Sequence, residues 1–243
     1  MANGMFNRYA TTGRAVDQAQ YDEGLRQHML SVYNYMMVGL GVTGVVAFAT
    51  AMLAASNPAF AQALYGSPLK WVVMLAPLGF VFFLSAKIHS MSMSTAQMTF
   101  WAFAAVMGLS LSSIFLVFTG ASIARVFFIT AATFGGMSLW GYTTKRDLSG
   151  MGSFLMMGLI GIIIASVVNI FIGSTALQFA VSVIGVLVFT GLTAYDTQRI
   201  KEEYSESYGS ESLGKMALMG ALSLYLNFIN LFTMLLSLFG NRE

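Results

Sequence analysis

Asp196 has more chemistry to account for than any other residue. No charged residue separates it from Asp147, and two long hydrophobic runs fill the interval. The second run closes with Thr190-Gly191-Leu192-Thr193-Ala194-Tyr195-Asp196-Thr197. A carboxylate at the edge of so apolar a stretch is costly in a bilayer, which makes it a functional candidate by default. The next run carries Asn227 within Leu226-Asn227-Phe228-Ile229-Asn230. Lys87, Lys145 and Arg199 are the basic residues able to pair with Asp196 at that edge.

The rest of the inventory argues against catalysis. The two histidines, His28 and His89, lie at the ends of hydrophobic runs, and no Gly-x-Ser-x-Gly occurs. A serine nucleophile therefore lacks a general base beside it. An intramembrane aspartyl protease would need two carboxylates at the bilayer centre, and this chain offers one, at an edge. A metal hydrolase would need several His or carboxylate ligands. No phosphate loop or dinucleotide motif is present. The last run has no lysine after Lys215, so a retinal Schiff base is excluded. Without cysteine, disulfides and thiolate metal sites are excluded too. The expectation is a channel, transporter or membrane regulator with no enzyme activity, no metal site and no cofactor.

These residues must be positioned by membrane helices. The chain has 243 residues, 57% hydrophobic and 9% charged, whereas a soluble domain averages about 25% charged. A net charge of +2 without a dense basic run gives no reason to expect a nucleic-acid partner. The partner is the lipid bilayer. A membrane helix needs about 20 mostly apolar residues. Seven runs qualify: 29–55, 71–86, 96–118, 122–142, 151–172, 176–196 and 216–239. The predicted fold is therefore an all-α integral membrane protein with seven transmembrane helices. Gly173-Ser174-Thr175 is too short a break for anything but a tight antiparallel pair. Residues 1–28 read as a polar cytosolic tail ahead of an uncleaved first span, and 29–240 as one membrane domain. The Glu-bearing segment 198–214 reads as a solvated loop into which helix six extends for a turn or two.

Lys and Arg set the orientation. With the N-terminus inside, nine of them fall inside and three (Lys70, Arg125 and Arg242) outside. The expected topology is N-terminus cytoplasmic and C-terminus outside, with Asp196 at the cytoplasmic end of span six.

Polar stripes indicate which faces meet protein. Ser223, Asn227, Asn230 and Ser237 share one face of span seven. Ser182, Thr190, Thr193 and Thr197 share one on span six, beside Asp196. Amide groups facing lipid would go unsatisfied, so these faces should meet other helices or water. Thr193, Thr197, Ser223 and Asn230 are thus candidate pore or helix-interface residues. Small residues four apart favour close helix contact. The pairs are Ala131 with Gly135, Ala132 with Gly136, and Ala217 with Ala221.

Four stretches carry a family resemblance: 71–84 (WVVMLAPLGFVFFL), 130–149 (TAATFGGMSLWGYTTKRDLS), 189–200 (FTGLTAYDTQRI) and 217–231 (ALMGALSLYLNFINL). On these the chain resembles the Bax inhibitor-1 family in its bacterial branch. The resemblance implies six helices packed around a central C-terminal helix, in the bacterial inner membrane. It implies a pH-sensitive calcium leak, with Ca2+ or protons as permeant ions. Bacterial relatives are also linked to regulating a membrane protease complex, so the alternative is a non-conducting membrane regulator. In the family the calcium role is attributed to two carboxylates, one in the Tyr-Asp-Thr motif of helix six and one in helix seven. The first carries over as Asp196, and the second position is Asn227. Two close carboxylates share a proton, whereas Asn227 adds no like charge. The expectation is a closed pore whose pH response is weak or shifted, with Asp196 and Asn227 as the sensor and gate.

Overall fold

The structure, a computed structural model, describes residues 3–242, with side chains from 19 to 242. Seven helices among these residues are long and apolar enough to cross a membrane. They are α1 (Asn3–Ser56), α2 (Leu69–Lys87), α3 (Met93–Leu111), α4 (Gly120–Thr143), α5 (Ser149–Ile172), α6 (Thr175–Glu203) and α7 (Ser210–Phe239). The predicted order and number of spans are as observed. α1 begins well before the predicted first span, at Asn3, so the polar segment and the span form one continuous helix. After Asp196, α6 continues for the turn or two expected, whereas α7 starts earlier than the expected 216. α6 runs on to Glu203 and α7 starts at Ser210, leaving only 204–209 as connection.

Local chemistry explains the breaks. Asn57 caps a short helix, Pro58–Ala61, by accepting from the Phe60 N–H at 3.1 Å, and Pro58 fits its first position. α3 stops at Leu111 because Ser112 turns its hydroxyl back to the Leu109 carbonyl (2.6 Å), and a second short helix, Ile114–Val117, follows. Gly173 ends α5 at φ 65°, a left-handed conformation that glycine adopts without steric cost. Asn169 Oδ1 then accepts from the Ser174 N–H (2.9 Å), and Ser174 caps α6 through the Leu177 N–H (3.2 Å). The tight α5–α6 pair predicted from three residues follows from this turn.

The inner layer is built on α7, whose membrane-spanning window is half buried. Its closest packing is against α6, then α1, α4 and α3. α2 seats chiefly on α3, and α5 on α6. The close packing therefore falls short of a sheath of six helices around one. α2 and α5 lie outside, and only 11% of each spanning window is buried. At the centre, the fully buried Tyr225 ring lies edge-on to Phe100 and Phe103. Its hydroxyl is 2.6 Å from Thr43 Oγ1, which also donates to the Ala104 carbonyl (2.8 Å). One pair of hydroxyls thus joins α1, α3 and α7. At the far end of α7, the Asn241 N–H donates to Ser122 (2.9 Å) and the Thr119 N–H to the Asn241 carbonyl (3.1 Å). That clasps the C-terminus to the start of α4.

The small-residue pairs divide. Ala217 and Ala221 are buried as expected. Gly135 and Gly136 meet nothing: a Cβ there would find no atom within 4 Å. The close contact on α4 is instead at Gly141, where a Cβ would fall against the Ala194 carbonyl and 2.8 Å from its Cα. Gly141→Ala is expected to force α4 and α6 apart and to cost about 1–3 kcal/mol. Gly135→Ala should be neutral when thermal unfolding of both is compared in one detergent. Tyr225→Phe removes a buried hydroxyl but leaves Thr43 bonded to Ala104, so a loss of about 1 kcal/mol is expected. Tyr225→Ala opens a core cavity and should cost about 3–5 kcal/mol in the same measurement.

Candidate functional site

The last turns of α6 are a row of polar side chains, each tied to a different neighbour. Asp196 points to α7. Its Oδ2 accepts from Asn227 Nδ2 at 2.7 Å and from Ser223 Oγ at 2.9 Å. Its Oδ1 pairs with Arg199 Nη2 at 3.0 Å. The same nitrogen donates to Ser223 Oγ at 3.3 Å. Asp196 is 7% exposed and Asn227 5% exposed. The helical offset explains the grouping: Asp196 and Arg199 are three residues apart on α6, Ser223 and Asn227 four apart on α7, and both spacings keep one face. All three partners donate, so the arrangement matches an ionised carboxylate. The two helices are antiparallel neighbours, which brings the stripes predicted separately on spans six and seven into one cluster.

Beyond Asp196 the row continues on other faces. Thr197 bonds the Thr193 carbonyl (2.8 Å) and lies 3.0 Å from Ser138 on α4, whose hydroxyl is 2.6 Å from the Tyr33 hydroxyl on α1. Gln198 donates to the Arg146 carbonyl and accepts from the Leu148 N–H, both at 2.8 Å. It thereby pins the connection between α4 and α5. Lys201 Nζ donates to the Tyr142 carbonyl (2.8 Å) near the end of α4, where a cation also suits the helix dipole. α6 consequently acts as the scaffold for this end of the bundle.

The other predicted residues fall into place unevenly. Thr193 bonds its own helix at the Phe189 carbonyl (2.8 Å), and Asn230 bonds the Leu226 carbonyl (2.8 Å), so neither belongs to the Asp196 cluster. Ser237 meets Ser182 at 3.2 Å, a separate contact along the same interface. Thr190 Oγ1 is buried without a partner. Of the three candidate cations, Arg199 holds Asp196. Lys87 and Lys145 are exposed, and neither forms an ion pair with Asp196. Lys87 ends α2 and Lys145 lies in the connection between α4 and α5, whereas Arg199 is one turn away on the same helix as the carboxylate. The reading of the sequence missed Tyr33, Ser138, Gln198 and Lys201. Gln198 and Lys201 carried a signal, since a polar run directly after Asp196 in a continuing helix must find partners. Tyr33 and Ser138 carried none, because pairing α1 with α4 is a long-range event.

A cavity of about 650 Å³ opens beside the cluster, between α2, the end of α6 and the start of α7. Arg199 and Ser223 line it and shield Asp196 from it. Glu203, Lys215 and His89 stand on its walls. Arg199 Nε lies 3.8 Å from Glu203, an ion pair without hydrogen-bond geometry, and Lys215 pairs with Glu211 at 2.9 Å. Among the described residues, no three acidic or histidine side chains gather into a metal cage. A calcium site built from protein takes six to eight oxygens. Asp196 already takes three donors, two on Oδ2 and one on Oδ1.

Residues 25–243 match the family model for the inhibitor of apoptosis-promoting Bax1. The inner membrane protein YbhL of Escherichia coli K12 is 49% identical over 223 residues, covering 90% of this chain and 94% of YbhL. An uncharacterised protein of Rickettsia prowazekii is 48% identical over 92% of this chain and 93% of its own length. One of Caulobacter vibrioides is 47% identical over 98% and 99%. With seven spans in order and a match over nearly its whole length, the chain belongs to the Bax inhibitor-1 family of multi-pass membrane proteins.

Proposed function

We propose that this is a non-enzymatic inner-membrane protein that leaks calcium across the bacterial cytoplasmic membrane, and that the Asp196 cluster is its closing contact. The observation that carries this reading is a buried carboxylate joining α6 to α7 directly behind the cavity wall. Opening a path along that interface requires Asp196 to release Asn227, Ser223 and Arg199. A cation entering the cavity meets Glu203 first, then competes with Arg199 for Asp196. Ca2+ is then cargo that replaces the donors one by one, with no resident site. Arg26, Lys87, Lys145, Arg146, Arg199, Lys201 and Lys215 gather at the end of the bundle where α6 finishes, while Lys70, Arg125 and Arg242 lie at the other. This charge distribution supports an N-terminus in the cytoplasm, a C-terminus outside and a cytoplasmic position for the cluster.

A second reading, a regulator that binds a membrane protease, draws on a different contact. Tyr204, in the connection between α6 and α7, stacks against Tyr21 and His28 of α1 with ring centroids 5.4 and 5.5 Å apart. The polar start of α1 and the 204–209 connection thus form one surface outside the spans. Most of the tail proposed for that role, 1–18, has no described side chains.

Calcium efflux from proteoliposomes, followed from about pH 5 to 8, separates the readings. Asn227 is neutral, so the wild type should respond to pH only shallowly. Asn227→Asp creates a proton-sharing carboxylate pair and should steepen the response. Asp196→Asn abolishes the ion pair with Arg199 and should raise the leak and remove its remaining pH dependence. A wild-type response as steep as that of Asn227→Asp would contradict the neutral-partner argument. A wild type that passes no calcium at any pH would sink the leak reading. Pull-down of a protease complex, lost when 1–27 is deleted, would then favour the regulator.

A further inference from the structure

A larger cavity lies elsewhere, on another flank of α7. It is a groove of about 1150 Å³ between α1 and α4, floored by Phe134 and Phe228. The two rings are edge-on at 5.5 Å, and Phe127 extends the floor at 5.6 Å from Phe228. α1 and α4 each pack on α7, so the gap between them opens sideways towards the hydrocarbon. It stays open because its walls carry glycine. Gly41 and Gly44 of α1 and Gly135 of α4 line it, and a Cβ at any of them would meet nothing within 4 Å. Ala131 and Gly135 of α4, a small-residue pair that would ordinarily mark a helix contact, border this empty space.

The polarity of the groove is graded along its length. Arg26 stands at one end, followed by Tyr33, Ser138 and Tyr142. Beyond Met36 the lining is entirely apolar or glycine. The stretch from Met36 to Val45 spans nine helical rises, about 14 Å at 1.5 Å each, or half of a hydrocarbon core about 30 Å thick. A cation at the interface above one leaflet's depth of apolar groove is the complement of a membrane amphiphile. The Arg26 side chain is 65% exposed and uses Nη1 on Glu23 at 3.3 Å, an exposed pair that a phosphate can displace at small cost.

We infer that the groove between α1 and α4 is a binding site for an anionic glycerophospholipid, with one acyl chain along the glycine walls and the phosphate on Arg26. Phosphate suits the forked guanidinium, and the bilayer supplies the ligand at high local concentration. The site is separate from the calcium reading and stands whether or not the protein conducts. The lipid would touch Tyr33 and Ser138, the outer members of the hydrogen-bonded chain that reaches Thr197 beside Asp196.

The test uses full-length protein in phosphatidylcholine vesicles containing a small fraction of spin-labelled phosphatidylglycerol or, separately, spin-labelled phosphatidylcholine. Electron spin resonance reads the motionally restricted lipid per protein. Wild type should restrict phosphatidylglycerol several-fold more strongly than phosphatidylcholine. Gly135→Leu fills the groove into open space and should abolish that excess with the thermal unfolding profile unchanged. Gly44→Leu, on the opposite wall, should do the same, so the result does not hang on one variant's folding. Arg26→Gln should leave restricted lipid present but erase the preference for phosphatidylglycerol. Equal restricted fractions in wild type and both leucine variants would overturn the proposal. So would a wild-type dimer that the leucine variants convert to monomer without any change in restricted lipid, which would assign the groove to a second copy of the chain.

Discussion

A carboxylate that ends a membrane helix must be supplied with donors, and the geometry at the basic end of this protein answers that need. Asp196 is almost fully enclosed and takes one bond from each of Asn227, Ser223 and Arg199. Donors on α7 fix the register of α7 against α6. A shift of α7 by one helical turn in either direction would keep only one of Ser223 and Asn227 within reach of Asp196, while Arg199, on α6 itself, would stay; the lost buried hydrogen bond costs about 1–3 kcal/mol. Much of the inner packing follows from that register: Gly185 against Met234, Ser182 against Ser237, and Ile200 against Gly220.

α6 also anchors the helices around it. Thr197, Gln198 and Lys201 follow Asp196 within two turns and bond to α4 and to its connection with α5. Gly141 admits the α6 backbone so closely that no side chain fits between. A movement that parts Asp196 from α7 therefore has a stationary side, α6 with α4 and α5, and a moving side. On the moving side α7 is held by aromatic packing and by the Thr43–Tyr225 hydroxyl pair to α1 and α3. α4 also packs on α7 through Phe127 and Phe134 against Phe228, so the charged contact is one of two that join α7 to this side.

The neutral residue at 227 alters the chemistry without altering the shape. Asn occupies the space of Asp and donates where a second carboxylate would share a proton. The interface is thereby closed by hydrogen bonds and an ion pair, with no like-charge repulsion available to open it.

Hydropathy alone gave all seven spans in order, because a membrane helix needs a fixed length of apolar residues and every such run in this chain is one. The stripes on spans six and seven were legible for a similar reason: side chains three and four apart share a helical face, and buried polar groups must be satisfied; Asn227 as the partner of Asp196 came from the family resemblance, not from the spacing. Arg199 was legible only as one of three cations. What selected it over Lys87 and Lys145 was the continuation of α6 past the membrane edge, where the polar segment 197–203 remains helical and its side chains find partners on α4, on α7 and on the α4–α5 connection. The outer positions of α2 and α5, the Tyr33–Ser138–Thr197 chain and the open groove on α4 could not be read from the chain. Each depends on which helices lie side by side, and small residues four apart look the same whether they border a neighbouring helix or an empty space. Sequence determined the elements and the groups that needed partners; tertiary packing decided which partners they received.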